Sequence, residues 1–237
     1  MNTIDSTTNQ HVKHLSKLSN KSAIESQKRF LVEGFHLVDE AFKAGILQEI
    51  LVFEKQKYDV EQTLVSPMVM KKLSFNKSNP GIIGVCKYVE PKADITTMQK
   101  VIVLDSVNNP GNLGAIIRSA RSFSFDAVLL LNESVFAHND KVIKSAQGTN
   151  FNFPVVKVTP EELKIFNTYN FVLGDKTTDM ENVEFKKPFA LVFGNESKGI
   201  APATLKTIGG QSIKIDIKET ESLNLSVAAS IAMFHGK

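Results

Sequence analysis

The chain has 237 residues, 42% of them hydrophobic and 22% charged, with a net charge of +3 and one cysteine, Cys86. That size fits one large domain or a small one followed by a medium one, and the balance is that of a soluble globular protein. No run approaches the roughly 18 apolar residues of a membrane span, one cysteine allows neither an internal disulfide nor a cysteine-rich metal site, and the polar stretch Met1–Asn20 does not read as a signal peptide. The expectation is therefore a cytoplasmic protein with no membrane partner and no metal.

Residues 10 to 28 read as short amphipathic helical pieces, with Val12, Leu15 and Leu18 at helical spacing. The first 30 residues carry Lys13, Lys17, Lys21, Lys28 and Arg29 against Asp5 and Glu25, with His11 and His14 beside them. Such a basic end suits phosphate contacts; the bland alternative is a solvated lysine-rich terminus. Phe30-Leu31-Val32 reads as a strand, and residues 34–44 as a helix with Phe35, Val38, Ala41 and Phe42 on its apolar face. Ile50–Phe53 reads as a buried strand, and Ser66-Pro67 opens another helix, serine as cap and proline in the first turn. An Asn79-Pro80-Gly81 turn leads into a strand ending at Cys86. Residues 1–90 thus form a small α/β unit.

The polar stretch 90–99 places a boundary before a second unit, residues 100–237. Strands are expected at 101–105, 127–131, 154–158, 170–173, 189–193 and 212–217, and helices at 112–124, 139–147, 160–166 and 223–234. Apolar strands alternating with helices predict a mostly parallel sheet covered on both faces.

Three motifs punctuate this unit. The first runs from Asn109 to Ala120, the second from Leu191 to Gly199, the third from Glu221 to Ala228. In the first, Gly111 and Gly114 permit a tight turn after strand 101–105. Asn112 reads as a helix cap, and Arg118 and Arg121, two of only three arginines, share one helical face opposite Ile116, Ala120 and Phe123. In the second, Gly194 and Gly199 bracket Glu196 on a loop after a strand. In the third, Ser222 reads as the cap of a helix whose Leu223, Val227, Ile231 and Phe234 form the core stripe. Taken singly, these are a cap, a surface arginine and a Gly-Asn turn.

Together, in this order and spacing, the motifs resemble the SpoU (TrmH-like) family of RNA ribose 2′-O-methyltransferases. Lys28-Arg29-Phe30-Leu31-Val32-Glu33-Gly34, followed by Leu37 to Ala41, is similar to the substrate-binding module ahead of many such domains, itself akin to small ribosomal proteins that grip kinked RNA. The resemblance implies S-adenosylmethionine as cofactor, RNA as partner (ribosomal RNA favoured over transfer RNA), a homodimer, and a deep trefoil knot at the chain end. It implies Asn112, Arg118, Glu196, Ser222 and Asn224 as catalytic residues. It places the cofactor on backbone at Gly194, Ile215 and Leu223, and RNA on Lys13, Lys17, Lys21, Lys28 and Arg29. A guanidinium is an awkward general base, so Arg118 is read as a clamp on an RNA phosphate that also stabilises the emerging oxyanion. Asn109 stands where the family more often has Asp, Ser197 replaces a common Gly, and the stretch Ile215–Leu223 is one residue short and lacks a usual glycine.

A rival from another class is a non-catalytic RNA-binding protein on the same fold, which has no need of all five catalytic-type residues. A nucleotide-dependent dehydrogenase would want G-x-G-x-x-G after an early strand, and Gly111-Asn112-Leu113-Gly114 does not match it.

Overall fold

The structure, a computed structural model, describes residues 2–75, 80–174, 176–219 and 222–237. The chain packs as two compact units, one comprising residues 1–90 with 138–152, the other 91–137 with 153–237.

The first unit contains β1 (Asn2–Ile4), α1 (Gln10–Leu15), α2 (Lys21–Gln27), β2 (Arg29–Glu33), α3 (Phe35–Lys43), β3 (Leu47–Val52), β4 (Glu61–Val65), α4 (Pro67–Leu73) and β5 (Ile82–Lys87). The sheet order is β1-β4-β3-β5-β2, with β5 antiparallel to both neighbours and the other pairs parallel. Ser66 caps α4 by accepting the Val69 N–H, as its Ser-Pro start implies. Gly84 sits where a Cβ would come within 2.8 Å of Leu47 and 2.9 Å of Val32, so only glycine lets the flanking side chains close over β5. His11 fastens α1 to the sheet: its Nε2 lies 2.9 Å and 3.0 Å from the two oxygens of the buried Glu49, which also accepts the Thr63 hydroxyl. Strands β1 and β4 lack the apolar run that signals a strand. Of the expected turn before β5, Asn79 lies outside the described residues. The stretch 138–152, expected in the second unit, packs in the first: the His138 ring meets Phe30 and Tyr88 edge-on, each at 5.0 Å between centroids.

The second unit continues with β6 (Lys100–Asp105), α5 (Pro110–Ser122) and β7 (Ala127–Leu131); α6 (Asp140–Ala146) belongs to the stretch just described. Then come β8 (Val155–Lys157), β9 (Asn167–Phe171), β10 (Thr178–Asp179), β11 (Phe189–Phe193), α7 (Pro202–Ile208), β12 (Gln211–Lys214) and α8 (Leu225–His235). The helix expected at 160–166 is a short 3-10 turn, Glu161–Ile165. The sheet order is β10-β12-β9-β11-β6-β7-β8 and every pair is parallel. One face packs Val101, Val103, Leu129, Ala190 and Val192 against Leu163, Phe166 and Ile208, while α5 and α8 pack against each other and on β7 and β11. Each fully buried Val, Leu or Ile contributes roughly 1.5–3 kcal/mol. From β6 the chain steps outward to β7 and β8, then returns on the other side through β9 and β11. Connections therefore diverge at the carboxyl ends of β6 and β11, the crevice where open parallel sheets place ligands.

Two helix starts differ from expectation. Helix α5 begins at Pro110, because Asn109 is the cap: its Oδ1 accepts the N–H groups of Gly111 and Asn112. Helix α8 begins at Leu225, because Asn224, not Ser222, is the cap and accepts the Ser226 N–H. The expected core stripe of that helix is also corrected. Ala229, Ala232 and Met233 are buried, whereas Val227, Ile231 and Phe234 are 46%, 39% and 57% exposed. Small residues let α8 approach α5 closely, where Ser119 and Ser230 share a hydrogen bond of 2.9 Å, and this leaves the bulkier side chains outward.

Candidate active site at the carboxyl ends of two central strands

Strand β11 ends at Phe193 and the chain turns at Gly194, where a Cβ would lie 1.9 Å from the Gly199 backbone carbon. No other residue fits there. The loop that follows closes on itself: Asn195 and Gly199 exchange backbone hydrogen bonds, with Gly199 at φ 68. Asn195 Oδ1 accepts the N–H groups of Ser197 and Lys198, and its Nδ2 donates to the Ser106 carbonyl at the end of β6. The loop is thereby pinned to the neighbouring strand, with Glu196 projecting from it.

With Asn109 capping α5, the Asn112 side chain is free to act elsewhere. Its Nδ2 donates to Glu196 Oε1 at 2.9 Å, and its Oδ1 accepts from Asn224 Nδ2 at 3.1 Å. Asn224 Oδ1 meanwhile caps α8. One residue from each motif thus enters a single line of hydrogen bonds, Glu196 to Asn112 to Asn224, across three segments that are far apart in sequence. Asn112 is 7% exposed while Glu196 and Asn224 are exposed, so the line is buried at its middle and open at both ends.

The other expected residues make no hydrogen bond into this line among the described residues. Arg118 is exposed on α5, six residues beyond Asn112 or about 9 Å along a helix, and its side chain has no hydrogen bond or ion pair among the described residues. Ser222 is exposed, and Ile215 and Leu223 are half-buried. Glu221 of the third motif lies outside the described residues. In the first unit, Lys13, Lys17, Lys21, Lys28 and Arg29 are all exposed. Lys21 is 3.7 Å from Glu25, and Lys28 lies over the Tyr88 ring at 5.8 Å.

Asp105 and Asn132, which lie outside the motifs, and Asn195 within the second motif also build these loops. Asp105 is fully buried and accepts from Ser106, Asn132 and the Ala201 N–H. The available signal was an acid closing the apolar run Val101–Leu104 just ahead of the first motif. Among the described residues no group of three His, Cys, Asp or Glu could hold a metal, and no helix is long and apolar enough to cross a membrane.

Residues 99–234 match the model of the SpoU rRNA Methylase family, and residues 9–84 that of the MRM3-like substrate binding domain. The chain is 32% identical over 251 residues to the 23S rRNA (guanosine(2553)-2′-O)-methyltransferase RlmP of Bacillus subtilis (strain 168), covering 99% of each protein. Its fold is similar to a crystal structure of an rRNA methyltransferase from Sinorhizobium meliloti, with a TM-score of 0.86 at 22% identity over 98% of this chain and 96% of that one. A structure of AdoMet-bound rRNA methyltransferase from the same organism gives a TM-score of 0.83, with the same identity and coverage.

Proposed function

The chain belongs to the SpoU rRNA methylase family, and we propose that it transfers a methyl group from S-adenosylmethionine to a ribose 2′-hydroxyl of ribosomal RNA. The observation that carries this reading is the line of hydrogen bonds from Glu196 through Asn112 to Asn224, which unites all three motifs.

The residues present fit the donor. Gly199 has nothing within 4 Å of where a side chain would begin, so its backbone is open to a ligand. Half-buried Ile215 and Leu223 offer apolar surface to an adenosine. When bound, S-adenosylmethionine supplies an electrophilic sulfonium methyl group. A ribose hydroxyl is a poor nucleophile, so the chain's own residues have to align it and stabilise charge on its oxygen. Arg118, exposed and uncommitted among the described residues, holds an RNA phosphate with its planar fork and faces the developing oxyanion. Asn112 and Glu196 keep the segments after β6 and β11 in one arrangement, and exposed Ser222, two residues before Asn224, offers a hydroxyl.

The two halves divide the work: residues 1–90, a module akin to small ribosomal proteins, hold RNA through Lys13, Lys17, Lys21, Lys28 and Arg29, while residues 100–237 hold the methyl donor. The match of residues 9–84 to a substrate-binding model supports this division. The chain end forms a trefoil knot, a reading supported by β12 lying between β9 and β10 before α8 returns to α5. The exposed row Val227, Ile231 and Phe234 supports a homodimer through α8, and the enzyme acts in the cytoplasm, with its RNA. Sedimentation that finds a fully active 26.2 kDa monomer at micromolar concentration overturns the dimer.

The deciding experiment pairs calorimetry with RNA mapping. S-adenosylmethionine and S-adenosylhomocysteine should bind, and one ribose methylation in ribosomal RNA should vanish when the protein is removed from its host. No heat with either ligand, or an unchanged methylation map, defeats the reading.

A further inference from the structure

Asp105 ends β6 wholly buried. A carboxylate in such a place is costly unless its oxygens are hydrogen-bonded. Here Oδ1 accepts from the Asn132 amide at 2.6 Å and the Ser106 hydroxyl at 2.9 Å, while Oδ2 accepts the Ala201 N–H at 2.9 Å. The three donors come from the ends of β6 and β7 and from the cap of α7. Ser106 and Asn132 adopt φ of 58 and 52, backbone that residues other than glycine seldom take. Burial alone disfavours the charged carboxylate, but hydrogen bonds from Asn132, Ala201, Ser106 and Thr204 outweigh it and hold the group below the usual carboxylate range.

The connection continues to the second motif. The Ser106 carbonyl that follows this carboxylate accepts from Asn195, which organises the turn carrying Glu196. The far end of the same loop is Ala201, bonded to Asp105 directly. One carboxylate therefore controls both ends of residues 195–201, at one end through Ser106 and at the other by direct hydrogen bonding.

We propose that Asp105 is a positioning residue, whose buried carboxylate clamps both ends of the 195–201 loop and so sets where Gly194 stands for the methyl donor and where Glu196 stands for Asn112. This rests on the methyltransferase reading. Charge is essential to the clamp because Asn132, Ser106, Ala201 and Thr204 all present donors to it. Asp105→Asn keeps the shape, yet its amide N–H₂ has to face at least one donor and release that part of the loop.

The test compares wild type, Asp105→Asn and Asn132→Gly. The glycine variant removes one donor, tolerates the positive φ, and leaves the carboxylate in place. Each protein is assayed by steady-state kinetics on ribosomal RNA from a host lacking the protein, by calorimetry with S-adenosylhomocysteine, and by thermal unfolding. For Asp105→Asn, KM for S-adenosylmethionine should rise and kcat fall, each by about 10-fold, the scale of one hydrogen bond to a charged group. KM for RNA should not change. Asn132→Gly should move the same constants in the same direction by less, and it carries the test alone if Asp105→Asn does not fold. A loss of kcat matching the unfolded fraction, with both KM values unchanged, makes Asp105 merely structural and overturns the proposal. Wild type that binds and methylates alongside unaltered variants also overturns it, whereas wild type that binds no S-adenosylhomocysteine overturns the methyltransferase reading instead.

Discussion

The loops at the carboxyl ends of β6 and β11 and the basic stretch of the first unit hold their side chains in opposite ways. At the loops, Asn112, Asn195 and Asn224 each use both ends of their amides, and Asp105 uses both oxygens. In the basic stretch, Lys13, Lys17, Lys28 and Arg29 stand exposed, and the ion pair of Lys21 with Glu25 is the surface kind worth about 0–1 kcal/mol. On the proposed function, the difference separates two ways of handling substrate. Position fails abruptly, when one group moves; charge declines in increments.

The sharpest way to break this contrast is Arg118, which sits exposed like the lysines but is assigned to the positional side. Arg118→Ala should lower methyl transfer by about 1,000-fold, the scale of losing a preorganised charge stabiliser, and leave S-adenosylhomocysteine affinity within about twofold. Arg118→Lys should recover less than about a tenth of the activity, since a point charge lacks the bidentate fork. Near-normal turnover of the lysine variant would put Arg118 with the incremental charges.

His138 tests the contrast from the other direction, because it gives the first unit a group that depends on burial. Burial among Phe30 and Tyr88 pushes its imidazole from 6.5 down to about 4. The folded value lies below the unfolded one, so the unfolded chain takes the proton first. The stabilising contribution is full above pH 6.5 and is lost as pH falls toward 4, by up to about 3 kcal/mol. His138→Phe should flatten this acid limb in denaturant titrations at about pH 4.5 and 7, which span most of the transition, and an unchanged slope would remove His138 as its cause.

Glu196→Ala should cost about 10-fold in kcat, because it unties Asn112 at an exposed end of the line, while Glu196→Gln keeps an acceptor and should cost less. Equal losses in single-turnover assays would show that the charge matters rather than the hydrogen bond. The smallest effect per residue belongs to the lysines. Changing Lys13, Lys17, Lys21 and Lys28 singly to Gln should weaken RNA binding slightly. Together the four changes should reduce the salt dependence, by roughly 0.7–0.9 in log–log slope for each phosphate no longer neutralised. Filter binding across a salt series checks this, and a single lysine that accounts for the whole change would contradict incremental binding.

Local chemistry was a good guide where a short-range rule decides the outcome. The alternation of apolar strands with helices, the Ser66 cap, and the loop glycines Gly194 and Gly199 all follow from periodicity or backbone freedom. It misled where two residues could do the same local job. Asn109 and Asn112 are both able to cap a helix, and so are Ser222 and Asn224; the structure uses Asn109 and Asn224 and turns Asn112 into the link between loops. The apolar residues of α8 gave a similar ambiguity, since spacing identifies a face but not which face a neighbour covers. The neighbours are α5 and β11, and what they leave uncovered is the bulkier row Val227, Ile231 and Phe234.

By itself the sequence determined the α/β character of both units, the family, and the order and spacing of the three motifs. Only the tertiary structure decided that stretch 138–152 packs with the first unit, that Glu196, Asn112 and Asn224 meet, and that Asp105 lies buried at the end of β6, tied to the loop that carries Glu196. The reason is physical: caps, turns and strand periods are set by neighbours in sequence. A buried carboxylate and its donors, by contrast, are brought together only when parallel strands from distant segments align their carboxyl ends.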